Sequence, residues 1–320
     1  MKYPLPYFFI IILLIASCKK EKTLAIDLEI SPEQLEVFGK DLISTHLYER
    51  DIAISPDGNQ IVYTLGNYNQ TIRTLVNIKK EGDKWGQKVI LPFSGNYNDI
   101  EPFFAADGRK LFFASNRPIG GDSTRTDYNI WYSELVDGHW NKPLALDTLV
   151  NSQQDEFYPS VSANGNLYFT ATRTEGIGRE DIFLSTFSEG KYQAPIVLDS
   201  TINTKVFEFN AYINPEEDLL IFSSYGRPDG LGGGDLYYSK KDKTGNWREA
   251  KNLGVIINSD KLDYCPFIDI PRNNFYFTSD RAKPAEERIN TVPELTIEAN
   301  KVLNGMGNIY RIRMDKLNLK

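Results

Sequence analysis

Two cysteines, two histidines and three methionines in 320 residues leave little material for thiol or metal chemistry. The two thiols, Cys18 and Cys265, stand at opposite ends of the sequence and make a poor metal site. A nucleophilic Cys265 would need His46 or His139 beside it, so a small buried strand residue is the simpler reading. Basic residues are not in excess either. With 36 Lys and Arg against 43 Asp and Glu, the net charge is −7, which argues against a phosphate-tracking, nucleic-acid-binding surface. The apolar run Tyr7–Ile15 is shorter than the roughly 20 residues a membrane span requires. Asp57-Gly58, Asp107-Gly108 and Asn164-Gly165 look like calcium-loop fragments, but no twelve-residue ligand pattern follows, so they read as hairpin turns. No metal and no cofactor is expected.

What is abundant is aromatic: 18 Tyr and 18 Phe favour sheets over helical bundles. They recur in phase. Five times the chain runs from an acidic residue through a short strand to a turn, then through a doubly apolar strand that in four copies ends in Arg. Gly58, Gly108, Gly165, Glu217 and Asn273 mark the turns, at intervals of 50, 57, 52 and 56 residues. A β unit repeating at this length implies a propeller. The second strands are apolar on consecutive residues (Leu111-Phe-Phe113, Phe275-Tyr-Phe277) and therefore covered on both faces, as in blades stacked around an axis. Third strands start at Leu75, Ile130, Ile182, Leu236 and Ile309. Gly-containing turns before Trp85, Trp140, Tyr192 and Trp247 lead into fourth strands at Val89, Leu144, Ile196 and Lys251.

The fifth copy stops at Lys320 without a fourth strand, whereas residues 35–46 precede the first copy where one would lie. The expected fold is all-β: a five-bladed β-propeller of four-stranded blades, over residues 35–320, whose ring is closed when the N-terminal segment completes the last blade. Closure removes an edge that would invite aggregation.

Two resemblances add to this. A charged Lys2, a short apolar run and Ile15-Ala16-Ser17-Cys18 resemble the signal and lipobox of bacterial lipoproteins. That resemblance implies a signal peptide over 1–17, a lipid on Cys18, and a tether over 18–34 beginning Lys19-Lys20-Glu21-Lys22. The expected location is the cell envelope, as an outer-membrane lipoprotein, on either side of that membrane. Ser55-Pro-Asp-Gly58, Ser279-Asp-Arg281 and Gly232-Gly-Gly-Asp-Leu-Tyr237 resemble the WD40-like repeat of TolB-type propellers, across residues 49–320. This implies a propeller architecture and, in several such proteins, a scaffold that binds protein.

In a propeller of this strand order, the loops joining second to third strands and fourth to first strands share one face. Glu49, Glu101, Glu156, Glu208 and Asp263 are expected to open the innermost strands there, and Arg117, Arg173, Arg227 and Arg281 to end second strands on the same side. The longest loops, including 282–305 with its apolar Leu295-Thr-Ile297, lie there too. One reading is structural: arginines and acids of neighbouring copies pair, while Asn129, Asp181, Asp235 and Asn308 hold loop amides. The other treats Glu101, Arg117, Glu156, Arg173, Glu208, Arg227, Asp263 and Arg281 as a binding face for a protein, peptide or glycan. The enzymatic alternative makes a glycoside hydrolase of two of these carboxylates. Recurrence in every copy argues against it, because an active site breaks repeat symmetry. The sequence reading is therefore a non-catalytic, monomeric, lipid-anchored binder.

Overall fold

The computed structural model describes residues 26–319. The expected signal peptide over 1–17, the expected lipidation site Cys18 and the first part of the expected tether lie outside the described residues.

Five antiparallel sheets follow one another along the chain. Blade 1 comprises Tyr48–Ile54, Gln60–Gly66, Arg73–Glu81 and Lys84–Ile90. Blade 2 comprises Asp99–Phe104, Lys110–Ser115, Asn129–Val136 and Leu144–Ala145. Blade 3 uses Glu156–Val161, Leu167–Ala171, Asp181–Ser185 and Ile196–Val197. Blade 4 uses Phe207–Ile213, Leu219–Tyr225, Asp235–Lys240 and Lys251–Asn252. Blade 5 takes Asp263–Asp269, Asn274–Ser279 and Asn308–Arg313, and its fourth strand is Glu36–Val37. The protein is a five-bladed β-propeller.

Closure runs through Glu36 opposite Arg311 and Val37 opposite Tyr310, as the missing fourth strand of the last copy required. Phe38 follows, 2% exposed, its amide donating to Ile309 O and its ring edge-on to Tyr276 at 5.0 Å. The seam reaches further back than the sequence reading placed it. Ile26 and Leu28 are buried, Asn274 Nδ2 donates to Leu28 O and Ile30 O, and Arg311 Nη1 donates to Asp27 O. Residues 26–34, read as tether, are thus packed on blade 5, because apolar side chains this close to an open edge are buried more favourably than left in water.

Each hairpin between first and second strands needs a left-handed residue. Gly58, Gly108 and Gly165 supply it at φ of 70°, 67° and 91°, and Glu217 and Asn273 take it at 61° and 51°. The 282–305 excursion is pinched shut by the bridge between Ala282 and Asn304 and carries one helix, Val292–Ala299. Thr291 and Glu294 cap it reciprocally. No helix of the described residues is long and apolar enough to cross a membrane.

Candidate functional site: the loop face and the axial cluster

The recurrent arginines are structural clips within single blades. Arg117 lies 2.5 Å from Asp99, Arg173 2.8 Å from Glu156, Arg227 3.0 Å from Glu208 and Arg281 3.1 Å from Asp263. Every one of these carboxylates has 0% side-chain exposure. The partners belong to the same copy, not to neighbouring copies. The inter-blade bond is a different one: each guanidinium also donates to a carbonyl of the incoming loop, at Phe93, Val150, Ile202 and Ile257. From the opposite side Ser152, Thr204 and Ser259 donate hydroxyl and amide to Glu156, Glu208 and Asp263. Burial raises the pKa of Glu156 and of Asp263 above the ordinary carboxylate values, against the lowering pull of these donors.

A second repeated device locks the same loops. Asn151 donates to Ile130 O and Leu146 O and accepts from Ile130 N, and Asn203 does the same with Ile182 and Leu198. Asn258 again holds both sides of Leu236. Sequence reasoning missed this set, although the asparagine of Val150-Asn-Ser, Ile202-Asn-Thr and Ile257-Asn-Ser stands five residues before the recurrent acid each time. Asp181 accepts from Ile177 N and Gly178 N, Asp235 from Leu231 N, and Asn308 from Leu303 N, so these three hold loop amides, whereas Asn129, expected to do the same, donates to Asp127 O and its carboxylate and accepts from Arg125.

Glu101 is not a member of the acid ring. The residue of blade 2 that pairs with the recurrent Arg is Asp99, nine residues before Gly108, as Glu49 and Glu156 stand nine before Gly58 and Gly165. Glu101 lies two positions on, at a β-bulge repeated in the innermost strand of every blade. The bulge residues are Asp51, Glu101, Tyr158, Asn210 and Cys265, all left-handed with φ between 48° and 60°. Five equivalent backbone positions thus hold five different side chains, each in a conformation that non-glycine residues adopt at a cost.

These side chains meet on the axis. Arg50 Nη2 donates to Glu101 Oε1 at 2.8 Å, Arg50 Nε lies 2.7 Å from Asp51, and its guanidinium sits 5.0 Å above the Tyr264 ring. Asn210 Nδ2 donates to Glu101 Oε1 at 3.3 Å, and Cys265 Sγ lies 3.7 Å from both Arg50 Nη2 and Asn210 Oδ1. The remaining oxygen, Glu101 Oε2, accepts from Tyr158 N at 2.7 Å. That last bond fills a gap in a repeated pattern. The bulge amides of Asp51, Glu101 and Asn210 donate to Thr278, Thr64 and Thr170 of the preceding blade, but the residue in this position before Tyr158 is Ala114. Glu101 takes over from the missing hydroxyl.

Burial pushes the Glu101 carboxyl up to about 7, opposed by Arg50 and reinforced by Asp51. It pushes the Cys265 thiol up as well, which keeps the thiol protonated and unreactive. Below the cluster the throat is filled by Phe103, Tyr212 and Phe267, with centroids 6.3 and 5.8 Å apart. They line an apolar depression of about 180 Å³ at the axis on the opposite face. All three rings are buried, so the axis at this level is packed with aromatic side chains.

Open space lies instead at the rim. Between blades 3 and 4 the loop face holds a cleft of about 430 Å³ lined by Arg179, Lys205, Phe207, Tyr225, Arg227 and the glycine-rich turn to Asp235. Arg227 is committed to Glu208 and Ile202 O, whereas Arg179 and Lys205 are exposed and have no acidic partner among the described residues. Of the eight sequence-predicted face residues, only Arg227 borders this cleft. Glu101 belongs to the axial cluster, and the others are held in the clips, the acids buried and the arginines half-buried.

No protein-family model and no curated protein matches the sequence. Among solved structures the chain is similar to a putative TolB from Agrobacterium tumefaciens, at 14% identity and a TM-score of 0.47, over 72% of this chain and 69% of that one. It is also similar to a GH43 endo-arabinanase from Bacillus licheniformis, at 13% identity and 0.47, over 83% and 93%. A puromycin-hydrolyzing peptidase of Mycobacterium tuberculosis aligns at 13% and 0.42, over 82% of this chain and 42% of that one. At these values the likenesses concern the propeller alone, and the fold rests on the five sheets described above.

Proposed function

We propose that this protein is a lipid-anchored cell-envelope propeller that binds a protein, peptide or glycan through its loop face without transforming it. The observation that carries the reading is the division of labour on that face. The recurrent acids and arginines are spent on rigid loops, and the open rim cleft between those loops presents two cations with no acidic partner among the described residues, on a protein of net charge −7. Rigid walls with unpaired functional groups are what a binding surface on a scaffold requires. A hydrolase would need two carboxylates opposed across an open site. Glu156, Glu208 and Asp263 instead face the arginine of their own blade.

Crosslinking and pull-down from the source envelope, combined with a glycan panel monitored for product, tests the reading. A retained, chemically unchanged ligand is expected, and its loss on substitution within the loop face. Product release, or capture indifferent to the loop face, overturns it.

A further inference from the structure

We infer that the cleft between blades 3 and 4 is a site for an acidic sugar, a glycan residue bearing a carboxylate; the inference rests on the loop-face reading and names its ligand. The cleft is preformed. Arg179 N donates to Val206 O at 3.0 Å and Glu208 N to Glu180 O at 2.9 Å, so the two loops that make its walls are stitched together. Gly178 lies so close to the carbonyls of Thr204 and Val206 that a Cβ there would collide with both, and a Cβ on Gly232 would come within 2.5 Å of Lys261 O and Ser259 O. These are positions where only glycine lets the loops close.

Three properties of the walls converge on one ligand chemistry. Arg179 and Lys205 offer a fork and a point charge to a carboxylate. Phe207 and Tyr225 form a tilted pair with centroids 6.0 Å apart, and Tyr225 is 50% exposed, which gives an aromatic surface against which the C–H face of a sugar ring packs. The Arg179 guanidinium lies 5.4 Å from the Phe207 centroid, so the cation and the aromatic surface are adjacent. The size, about 430 Å³, is that of a small-molecule cleft. A net charge of −7 disfavours a long polyanion such as a nucleic acid. The nearby acids do not cancel the cations: Glu208 is held by Arg227, Asp235 accepts from Leu231 N and Asn252, and Glu180 is half-buried with its carboxyl raised by burial.

Calorimetric titration of the whole protein with oligogalacturonate, oligoglucuronate and oligomannuronate, with their methyl esters, and with inorganic phosphate tests the inference. One uronate series is expected to bind and its ester not, with affinity falling as salt rises. Arg179→Gln, Lys205→Gln and Tyr225→Ala should each weaken binding about tenfold; these side chains are exposed, and an unchanged melting curve shows that the fold survives. Failure of all three uronate series, equal binding of an ester, or phosphate binding as tightly as the uronates overturns it. If the uronates fail while the Arg179→Gln/Lys205→Gln pair still abolishes envelope capture, the sugar assignment falls and the loop-face reading stands. If capture survives every loop-face variant, the loop-face reading falls.

Discussion

Arg50 Nη2 and Glu101 Oε1, 51 residues apart in sequence, meet at 2.8 Å on the propeller axis, one from blade 1 and one from blade 2. Arg50 has no charged counterpart: the equivalent residues of the other blades are Ile100, Phe157, Phe209 and Tyr264. A lone charge in a position otherwise apolar must be compensated locally, and Asp51 and Glu101 do so. Removing one partner strands the other. Glu101→Leu should lower stability by about 3–5 kcal/mol, and so should Arg50→Met, which strands Asp51 as well; the double variant should lose clearly less than the sum of the two. Urea unfolding of the two single variants and the double variant checks this; additive losses would show that the pair is not coupled.

The same carboxyl gives a pH dependence of definite sign. With its folded-state value at about 7 against an ordinary 4.5, Glu101 binds more protons in the folded protein than in the unfolded chain between those limits. Its contribution is fully present below about pH 4.5 and is lost as pH rises through 7. Burial raises Glu49, Glu156 and Asp263 in the same sense. The melting temperature of the parent protein should therefore fall from pH 5 to pH 7.5 more steeply than that of Glu101→Gln. Parallel profiles would remove Glu101 as a source of the slope.

The blade count, the strand order and the closing segment were legible because they depend on period and on apolar patterning, which each copy states independently. The axial cluster was not, for a physical reason. A bulge shifts register by one residue in the middle of a strand, and no side-chain type announces it: Asp51, Glu101, Tyr158, Asn210 and Cys265 share a backbone conformation and nothing else. Counting nine residues back from Gly108 would have separated Asp99 from Glu101. The replacement of a repeated Thr by Ala114, which hands the Tyr158 amide to Glu101, becomes meaningful only when neighbouring blades are seen side by side. The rim cleft was illegible because Arg179 and Lys205 recur in no other copy.

The intra-blade clips should affect stability without affecting ligand. Arg173 bonds Glu156 and Val150 O at once, and its guanidinium lies 5.2 and 5.5 Å from the Phe169 and Phe183 centroids. A lysine cannot reproduce that planar, doubly engaged geometry. Arg173→Lys should cost about 1–3 kcal/mol and leave envelope capture unchanged. Lost capture at full stability would return Arg173 to the binding surface.

The 282–305 excursion makes the opposite prediction. Its helix buries no residue, and Val292, Leu295 and Ile297 are 76%, 53% and 61% exposed. Its base is tied by Lys283 N to Leu303 O, so a short turn can replace residues 284–302. That replacement should leave the melting transition nearly intact and reduce partner capture. Unfolding, or unchanged capture, would take the excursion out of the binding face.

The ring's last joint is the sharpest place to test the architecture. Glu36–Val37 contributes a strand of only two residues, too short to hold the seam by backbone pairing alone. Side chains must do it. Phe38 is wedged between the Tyr276 ring and the Arg311 guanidinium, which lies 5.0 Å from its centroid, while Arg311 is simultaneously held by Glu36 at 2.6 Å. Removing the ring deletes buried area, opens a cavity at the junction of the first and last segments and loosens that ion pair. Phe38→Ala should lower stability by about 3–5 kcal/mol. Because the contacts it severs join residues more than 230 apart in the chain, the loss should also appear as faster hydrogen exchange across Asn308–Arg313, the strand left exposed as an edge. An alanine variant as stable as its parent, with protection unchanged in that strand, would mean that the ring is held shut elsewhere.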